Sequence, residues 1–392
     1  MMLQASAYKI PEQSTRSMAL SAAYIAGADS ADASYFNPAN MSWMNDYAQM
    51  EAGLTYIHLP SVAYRGSVAG VPADDDSKTE DFLLPYVHYV SPKVDQWRFG
   101  FSLVEPGGLS KRWDGVIQRA MAEEFTLKVI ELNPTVSYVI TPTLSIGGGL
   151  RFIYSDGKVK AYREGAYAEN MTGDTVETGY NVALSYKPTL KTTLSVTYRS
   201  KIDLNLEGSS TGFIALGSNP LPYYDTPGGV SVPLPATLAL AVAHNFGKTR
   251  LEVVYERTYW SAYKKLDFHF DNPIVDGLFG NPTDKSWSDT NTFRIGLTHQ
   301  FNEKWTVMAG YAYDETPIPE KTVGFELPDS DAHIFSLGAI MQVDKRLEVG
   351  YSLLYDYKTD RTLQTPPNEN GIDGTFSKGG AILTNISIGY RF

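Results

Sequence analysis

The sequence closes on Ile382-Leu383-Thr384-Asn385-Ile386-Ser387-Ile388-Gly389-Tyr390-Arg391-Phe392. One set of alternate positions is largely apolar and includes Ile382, Ile386, Ile388, Tyr390 and Phe392. The other set includes Asn385, Ser387, Gly389 and Arg391. Because successive side chains of a β-strand point to opposite faces, this alternation predicts a strand with one apolar and one polar face.

An apolar strand at a chain terminus is unusual in a soluble domain, because termini usually fray and are polar. In a membrane barrel the last strand pairs with the first, its outer face meets lipid, and a terminal aromatic residue joins the interfacial girdle. The ending Tyr390-Arg391-Phe392 resembles the C-terminal signature of bacterial outer-membrane barrels. We therefore expect an all-β transmembrane barrel, located in the outer membrane.

The composition is compatible with two soluble domains or one large barrel, at 392 residues and 43% hydrophobic residues. No stretch approaches the roughly 18 uncharged apolar residues of a membrane helix. The counts of Tyr (26), Phe (17) and Gly (33) suit transmembrane strands. The absence of cysteine is consistent with export without disulfides. The net charge of −11 argues against a nucleic-acid partner.

From Tyr47 onward the sequence divides into about fourteen alternating segments. The clearest is Trp305–Asp314, and two others are residues 144–154 and 346–355. In each segment the apolar set is expected to face lipid and the polar or small set to face the lumen. Inward positions include Arg151 and Arg294 among the cations and Glu131 and Glu348 among the carboxylates.

The connectors alternate between short turns and long loops, which is typical of barrels with periplasmic turns and extracellular loops. Both chain ends are then expected in the periplasm, and a soluble β-sandwich is the weaker alternative. The predicted turns are residues 141–143, 187–191, 246–248, 302–304 and 344–345. The predicted loops are residues 105–124, 163–173, 207–229, 271–285, 315–328 and 358–375.

The N-terminal region does not alternate and is predicted to lie outside the wall. Ala5-Ser6-Ala7 fits a signal-peptidase site, so residues 1–7 are interpreted as a signal-peptide remnant. Residues 8–46 are rich in Ala and Ser and are predicted to form a hatch, or plug, inside the lumen. Residues 47–392 are predicted to form the barrel with its loops.

Three N-terminal stretches, in this order and spacing, resemble the hatch of the FadL/TodX family of outer-membrane transport proteins for long-chain fatty acids and hydrophobic compounds. They are Glu12-Gln13-Ser14, residues 28–34 and Asn37-Pro38-Ala39-Asn40-Met41. Two further blocks, Leu234-Pro235-Ala236-Thr237 and Gly310-Tyr311-Ala312-Tyr313-Asp314-Glu315-Thr316-Pro317, are similar to the family's central and C-terminal regions. The resemblance covers nearly the whole chain and is weakest at residues 63–131 and 208–229.

The resemblance implies a barrel of about 14 strands with an N-terminal hatch. Hydrophobic substrate would be captured between extracellular loops, held in an internal pocket, and released sideways into the membrane beside a kinked third strand. No energy source or cofactor is implied. The partners implied are fatty acids or aromatic hydrocarbons (with detergent in a crystal), outer-membrane lipid and lipopolysaccharide, and the barrel-assembly machinery acting on the C-terminal strand of a monomer.

Two loops are unusually apolar, which indicates a ligand-binding groove or, alternatively, a lid whose residues pack on each other. The candidate contacts are Phe213, Ile214, Leu216, Leu221, Tyr223, Tyr224, Leu278 and Phe279. Residues 111–125 are predicted to form a short helix whose apolar face includes Trp113, Val116, Ile117, Ala120 and Met121, either beside the groove or against the rim.

Inward cations can hold a carboxylate headgroup through charge-assisted hydrogen bonds, unless neighbouring carboxylates pair with them. The candidates are Arg151, Arg199, Lys201 and Arg294. In the hatch motif, Pro38 fixes φ and Asn37 bonds local backbone, so Asn37, Pro38 and Ala39 are expected to form a rigid turn that lines the inner pocket. For lateral exit, Gly100, Pro106 and Gly107 are candidates for a kink in the strand 97–103, although the last two could merely start a loop.

A catalytic function is unsupported, because the sequence has no Gly-x-Ser-x-Gly elbow or phosphate loop and its six His residues lack metal-ligand spacing. An outer-membrane barrel hydrolase is the alternative from another class, and an aqueous porin is a third; a hatch argues against both. Between substrates, the inward cations favour a long-chain fatty acid over an aromatic hydrocarbon such as toluene.

Overall fold

The computed structural model describes residues 7–215 and 220–392. Within these residues, fourteen antiparallel strands form a closed wall. They are β1 (Gln49–Leu59), β2 (Glu80–Val90), β3 (Trp97–Arg112), β4 (Glu124–Thr141), β5 (Leu144–Arg163), β6 (Tyr167–Thr189), β7 (Thr192–Arg199), β8 (Thr237–Phe246), β9 (Thr249–Thr258), β10 (Thr290–Gln300), β11 (Trp305–Asp314), β12 (Ala332–Gln342), β13 (Leu347–Lys358) and β14 (Gly380–Arg391).

The last strand closes the barrel on the first, with a register that runs from Gln49 opposite Arg391 to His58 opposite Ile382. The predicted alternation is present in β14, where Ile386 is 57% exposed on the lipid side and Asn385 is 1% exposed in the lumen. The prediction of a 14-stranded barrel with an N-terminal plug is confirmed.

Several strands continue into segments that are predicted as loops. β3 extends to Arg112 and β6 begins at Tyr167, so residues 105–112 and 167–173 are strands rather than loops. The predicted loop 207–229 is largely a hairpin of Ile202–Ile214 and Leu221–Leu234, which we call the outer hairpin. The loop assignment failed because the outer hairpin pairs with the extended end of β6, a contact between segments remote in sequence.

The remaining extracellular elements are short. Strands Ala63–Val68, Val71–Pro72, Asp75–Asp76, Arg361–Leu363 and Ile372–Ser377 form a small outer sheet. Lys265–Leu266 pairs with Thr283–Asp284, and Phe268–Phe270 pairs with the outer hairpin. The 3₁₀ turns are Trp260–Ala262 and Glu320–Thr322, and a short helix spans Pro273–Phe279 within the predicted loop 271–285.

The predicted helix at 111–125 is shorter in the structure, where it spans only Val116–Ala122. Its orientation also differs from the prediction, because Gln118 and Ala122 are buried while Val116 is 78% exposed. The apolar face was misplaced because residues 111–112 belong to β3 and residues 124–125 to β4, so helical periodicity does not apply to them.

The hatch fills the periplasmic half of the lumen. It contains α1 (Thr15–Ala19), α2 (Ala33–Phe36) and a 3₁₀ turn (Pro38–Trp43). The Ser14 side chain caps α1 by accepting from the Ser17 N–H at 3.1 Å. Hatch backbone approaches wall glycines closely: a Cβ at Gly147 would lie 2.5 Å from the Ala39 nitrogen, and one at Gly310 would lie 2.1 Å from the Leu20 carbonyl carbon.

Among the described residues, none of the helices combines the length and apolar character needed to cross a membrane. The interpretation of residues 1–7 as a signal remnant falls, apart from Ala7, outside the described residues. Ala7 itself is fully buried, and its N–H lies 3.4 Å from an Asp329 carboxylate oxygen. The hatch and barrel boundaries at residues 8, 46 and 47 stay predictions.

Candidate functional site

Two internal cavities lie on either side of the N-terminal segment Tyr8-Lys9-Ile10. Tyr8 lines one cavity, while Lys9 and Ile10 line the other. The Tyr8 hydroxyl donates to the Pro233 carbonyl of the outer hairpin, and all three residues are at most 8% exposed. The first few ordered residues of the hatch therefore form the partition between the two spaces.

The first cavity, which we call the apolar cavity, lies at the extracellular end of the lumen. It is enclosed by strands β3 to β6, the outer hairpin and the aromatic residues of the 260–287 region. Its apolar lining is Tyr8, Leu109, Phe125, Leu127, Val159, Met171, Leu206, Val230, Val232, Tyr263, Leu266, Phe268, Trp287 and Leu327. Three charged residues contribute to its lining. Lys285 and Glu326 pair with each other, and Lys158 pairs with Glu124 at 3.6 Å. The space can therefore accept an alkyl or aryl group but offers little to a polar one.

Aromatic rings from distant parts of the chain meet at the floor of the apolar cavity. The Tyr8 ring lies edge-on to Trp260, with ring centroids 4.7 Å apart. Tyr263 and Trp287 form a second edge contact, also at 4.7 Å. Because such contacts favour edge-to-face geometry, these rings hold Tyr8 and the start of the hatch in place.

The second cavity, which we call the cationic cavity, lies deeper and against the hatch. Arg151 of β5, Arg199 of β7, Arg294 of β10 and Lys9 all contribute to its lining. Its apolar side includes Ile10, Pro11, Ala22, Ile25, Phe36, Pro38, Pro106, Val182, Leu234, Pro235 and Val254. The structure thus brings three of the four predicted headgroup residues together.

Lys201, the fourth, lies elsewhere. β7 ends at Arg199, so the inward alternation does not continue to position 201. The Lys201 ammonium is half-exposed and pairs with Asp203 at 2.8 Å. The prediction that Lys201 faces the lumen is therefore wrong.

Arg151 and Arg199 share a single buried carboxylate, Glu131 of β4. Arg151 is nearly saturated, because it also donates to the Ser200 carbonyl at 2.7 Å and its side chain is only 3% exposed. Arg199 donates to the Tyr35 carbonyl at 3.3 Å and lies over the Tyr35 ring at 4.2 Å from the centroid, yet it keeps 17% of its side-chain surface open. Two cations on one carboxylate leave an excess positive charge, and Arg199 is the cation that presents it.

Lys9 and Arg294 share a second carboxylate, Glu256 of β9. Glu12 of the hatch lies near these cations, and no described residue hydrogen-bonds to either of its carboxylate oxygens. Burial raises the pKa of Glu12 from 4.5 to about 7, although Arg294 and Lys9 oppose the shift. The charge at this side of the cavity therefore depends on pH near neutrality.

The hatch motif contributes one residue to the cationic cavity. Pro38 lines the cationic cavity, and Asn37 and Ala39 are fully buried beside it. The Asn37 amide donates to the hydroxyls of Ser185 on β6 and Ser195 on β7, at 2.9 and 3.1 Å. The motif thus links the hatch to the wall strand that carries Arg199.

The wall contains a break in strand pairing between β2 and β3. The two strands pair only from Val87–Val90 to Gly100–Leu103. Above this point, residues 80–86 pair with β1 and residues 104–112 pair with β4, and no described ladder joins them to each other. The strands meet again through a Lys78 N–H to Arg112 carbonyl bond of 2.9 Å. The break is therefore a window in the wall, closed at both ends.

The three predicted kink residues lie in different parts of β3: Pro106 and Gly107 lie at the window, and Gly100 lies where β3 still pairs with β2. Glu105 and Pro106 oppose the single residue Ile130 in the β3–β4 register, so the strand has a β-bulge at Pro106 and next to Gly107. Gly100 lies in the regular ladder instead, and a Cβ there would meet the Met41 sulfur at 2.8 Å. Gly100 therefore makes room for the hatch, while a role of Pro106 and Gly107 in lateral exit stays a prediction.

The hatch covers the window from inside by acting as a substitute strand. The Ile10 N–H donates to the Pro106 carbonyl and the Gly108 N–H donates to the Tyr8 carbonyl, both at 2.9 Å. The Gln13 side chain bonds both backbone groups of Glu105, at 2.8 and 3.0 Å. Backbone groups of Glu105, Pro106 and Gly108, which have no β2 partner, are thus satisfied by residues 8–13 of the hatch.

The eight predicted loop contacts do not line either cavity where they are described. Ile214 and Tyr224 are buried, Leu221, Leu278 and Phe279 are partly buried against the same apolar cluster, and Phe213 is half-buried. Tyr223 is 68% exposed, and Leu216 lies outside the described residues. This arrangement matches the lid alternative, and ligand contact by these residues stays a prediction.

Most of the apolar cavity was missed from the sequence. Met171 lies in the predicted loop 163–173, Leu127 lies just after the predicted helix and Leu206 just before the predicted loop 207–229. The remaining contacts join elements far apart in the chain. One signal was available: Ile202, Leu204 and Leu206 alternate with polar residues, and so do Val230 and Val232. Within the described residues no group of His, Asp or Glu side chains is arranged to hold a metal ion.

Comparison with known proteins gives the following results. The family model described as outer membrane protein transport protein (OMPP1/FadL/TodX) matches residues 1–392. A long-chain fatty acid transport protein of Escherichia coli O6:H1 is 25% identical, with 91% of this chain and 87% of that protein covered. The crystal structure of a Pseudomonas aeruginosa FadL homologue has a TM-score of 0.86 at 20% identity, covering 99% of this chain and all of that one. The Pseudomonas putida toluene transporter TodX has a TM-score of 0.75 at 18% identity, covering 99% and 100%.

Proposed function

The chain belongs to the outer membrane protein transport family (OMPP1/FadL/TodX), and we propose that its substrate is a long-chain fatty acid. Family membership makes it an outer-membrane transport protein for hydrophobic compounds and not an enzyme. The open question is the substrate class, because the E. coli relative is a long-chain fatty acid transport protein and a similar fold belongs to a toluene transporter.

The observation that supports a carboxylate is the incomplete neutralisation of Arg199. Arg151 and Arg199 share only Glu131, and Arg199 is the more exposed of the two cations. A guanidinium with an open donor binds a carboxylate through charge-assisted hydrogen bonds. Toluene has no group that would compensate for burying this charge.

The two cavities suit the two ends of an amphipathic molecule. The apolar cavity would take the alkyl chain, and the cationic cavity would take the headgroup beside Arg199. The Tyr8–Ile10 partition between them must shift to let a chain occupy both. Because this segment also covers the wall window, its displacement would expose the bulge at Pro106 and open a sideways path to the lipid.

Monomeric function is the simplest arrangement for this wall. The described strands close on themselves through β1 and β14, so neither terminal strand is left open to a partner strand. The hatch covers the unpaired stretch of β3 from inside. Outer-membrane lipid and lipopolysaccharide would surround the lipid-facing aromatic and aliphatic side chains.

The experiment is a binding competition by native mass spectrometry with oleate, oleyl alcohol and toluene. Oleyl alcohol has the chain of oleate without its charge, so the difference between the two isolates the headgroup contribution. We expect oleate to displace the other two. If toluene binds and oleate does not displace it, the substrate is instead an aromatic hydrocarbon.

The matched variants are Arg199→Met and Lys201→Met, two residues apart. The first removes the open cation and is expected to lower oleate affinity by roughly tenfold, since a charged hydrogen bond contributes about 1.5–3 kcal/mol, with little effect on oleyl alcohol. The second removes a cation that lies outside the cavity and should change neither affinity. If Arg199→Met lowered the affinities for oleate and oleyl alcohol equally, the headgroup assignment would be wrong.

A further inference from the structure

A third cavity lies at the periplasmic end of the barrel, below the hatch. This polar vestibule has a volume of about 540 Å³ and is lined by hatch residues together with strand ends at the short turns. Lys187, Lys248 and Arg250 contribute positive charge, and Asp29 is the carboxylate in its lining.

A short stretch of the hatch, residues 25–29, separates this vestibule from the cationic cavity. Ile25 lines the cationic cavity, whereas Ala26, Gly27, Ala28 and Asp29 line the vestibule. These five residues, which form no helix or strand and which we call the hatch loop, are thus one part of the barrier between the ligand site and the periplasmic side. A second part follows in the chain, where Pro38 lines the cationic cavity and Asn40 lines the vestibule.

The hatch loop is held by one wall carboxylate. The Glu252 carboxylate of β9 is 2% exposed and accepts three consecutive backbone N–H groups. Its Oε1 accepts from Ile25 and Ala26, both at 2.7 Å, and its Oε2 accepts from Gly27 at 2.9 Å. Consecutive N–H groups that converge in this way form an anion-binding nest, here filled by a side chain of the protein itself.

The opposite side of the hatch loop is held by the hatch motif. The Asn40 amide donates to the carbonyls of Ala26 and Ala28, each at 3.0 Å. The Asn37 amide donates to the Ile25 carbonyl at 2.9 Å. The loop therefore has its carbonyls fixed from within the hatch and its N–H groups fixed from the wall.

Two further features fit a latch between loop and wall. A Cβ at Gly27 would lie 2.4 Å from Glu252 Oε2, so only glycine leaves room for the carboxylate in this geometry. Arg250, two residues before Glu252 on the same face of β9, donates to Asp29 at 2.7 Å. Strand β9 thus binds both ends of the loop, through Glu252 and Arg250.

We propose that Glu252 is the latch residue of the hatch: its carboxylate holds the hatch loop against β9 and keeps the ligand cavity closed to the periplasmic vestibule. This inference deepens the proposed function and rests on it, because Glu252 is named as a positioning residue behind Pro38 and Ile25, which line the ligand cavity. The closure itself does not depend on which ligand binds. Release of the carboxylate frees three N–H groups and lets the loop leave the barrier.

The first test measures ion conductance of the full-length protein in planar bilayers. Glu252→Gln offers an N–H group to the Gly27 N–H, and Glu252→Ala offers no acceptor, so both are expected to conduct where the wild type is closed. Glu348→Gln is the matched control, because Glu348 also binds the hatch, through Arg16 at 2.7 Å, but does not touch the loop. Conductance that rises equally in Glu348→Gln, or that stays at wild-type level in Glu252→Ala, would overturn the latch.

The second test keeps the inference falsifiable if Glu252 variants fail to assemble. Gly27→Ala retains the carboxylate but displaces it, and should conduct in the same way. Hydrogen exchange at Ile25, Ala26 and Gly27 should be at least about tenfold faster in Gly27→Ala or Glu252→Gln than in the wild type, which corresponds to roughly 1.4 kcal/mol. Unchanged exchange in an assembled barrel contradicts the proposal.

These readouts also separate the latch from the substrate assignment. If oleate does not bind the wild type but Glu252→Gln conducts, the fatty-acid assignment fails and the latch stands. If oleate binds the wild type and Glu252→Ala alike and neither conducts, the latch fails and the substrate assignment stands.

Discussion

The periplasmic and extracellular halves of the lumen are filled in different ways. In the periplasmic half, small hatch residues such as Ala19, Ala23 and Ala33 pack directly on the wall. Hydroxyl and amide groups cross the same interface, as in the 2.7 Å contact between Ser34 and Ser102. In the extracellular half, large side chains such as Trp260, Phe325 and Leu327 form the core. One half is therefore a close-packed seal, and the other encloses an apolar space.

This difference assigns separate tasks to the two halves. Short side chains let backbones approach closely and be joined by directional hydrogen bonds, which suits a plug that must exclude water and ions. Large, non-directional side chains can adjust around a flexible alkyl chain. The segment that passes between the halves, residues 8–13, carries both kinds of contact, because Tyr8 packs on aromatic rings while Gln13 bonds the β3 backbone.

The largest expected effect comes from adding a methyl group to a wall glycine in the periplasmic half, compared with the same addition in the extracellular half. Gly147 and Gly157 lie on the same face of β5, ten residues apart. A Cβ at Gly147 would meet the Ala39 nitrogen at 2.5 Å and the Pro38 carbonyl carbon at 2.6 Å. One at Gly157 would lie at ordinary contact distances, 3.5 Å from Leu206 and 3.6 Å from the Thr126 carbonyl oxygen. We expect Gly147→Ala to lower the free energy of unfolding by about 1–3 kcal/mol and Gly157→Ala by less than about 0.5 kcal/mol.

The measurement is thermal unfolding in micelles, combined with trypsin sensitivity of the hatch at Lys9 and Arg16. Only Gly147→Ala should expose the hatch to cleavage in an intact barrel. Equal destabilisation by the two substitutions would mean that the halves do not differ in packing.

The same contrast explains which features could be predicted from the sequence. In the wall, a period of two fixes the face of every side chain once a strand is recognised, so Arg151, Arg199 and Arg294 were placed correctly. Lys201 was misplaced because β7 ends two residues earlier. The hatch followed from its order of motifs rather than from any periodicity.

The extracellular half could not be predicted to the same degree. Its cavity depends on contacts between segments remote in sequence, such as Tyr8 with Trp260 and the outer hairpin with β6. Apolar residues in predicted loops gave no indication of whether they face a ligand or each other. An opening beside the third strand was expected from the family resemblance, but its position was not, because the window arises from pairing that stops at Leu103 rather than from a single residue type.

An intermediate effect is expected where the apolar cavity meets an alkyl chain. Leu127 is 5% exposed and lines the cavity, while Leu132 on the same strand is 44% exposed to lipid. Leu127→Ala should weaken oleate and oleyl alcohol equally, by roughly three- to tenfold, since each buried methylene contributes about 0.8 kcal/mol. Leu132→Ala should leave both affinities unchanged in the same competition. If Leu127→Ala weakened oleate alone, the headgroup rather than the alkyl chain would lie in the extracellular half of the lumen.

The smallest expected effect on ligand affinity is a pH dependence that arises where the two halves meet. Glu12 lies near Lys9 and Arg294, and burial raises its pKa from 4.5 to about 7. The folded protein therefore binds more protons than the unfolded chain between these values, so the free energy of unfolding falls as pH rises from 4.5 to 7 and levels off above. Asp32, also in the hatch, has a pKa raised by burial to about 6 and acts in the same direction.

Ligand binding should follow the same titration. Below pH 7 Glu12 is neutral and leaves the charges of Lys9 and Arg294 available to an anion, whereas above pH 7 its carboxylate opposes binding. Dodecyl sulfate is the suitable probe, because it stays charged throughout, and its affinity should fall by less than about tenfold from pH 6 to 8, since one pKa unit corresponds to about 1.4 kcal/mol. Glu12→Gln should keep the higher affinity at both pH values. If Glu12→Gln instead shows the wild-type pH dependence, another group controls the charge of the cationic cavity, and the hatch contributes only its seal.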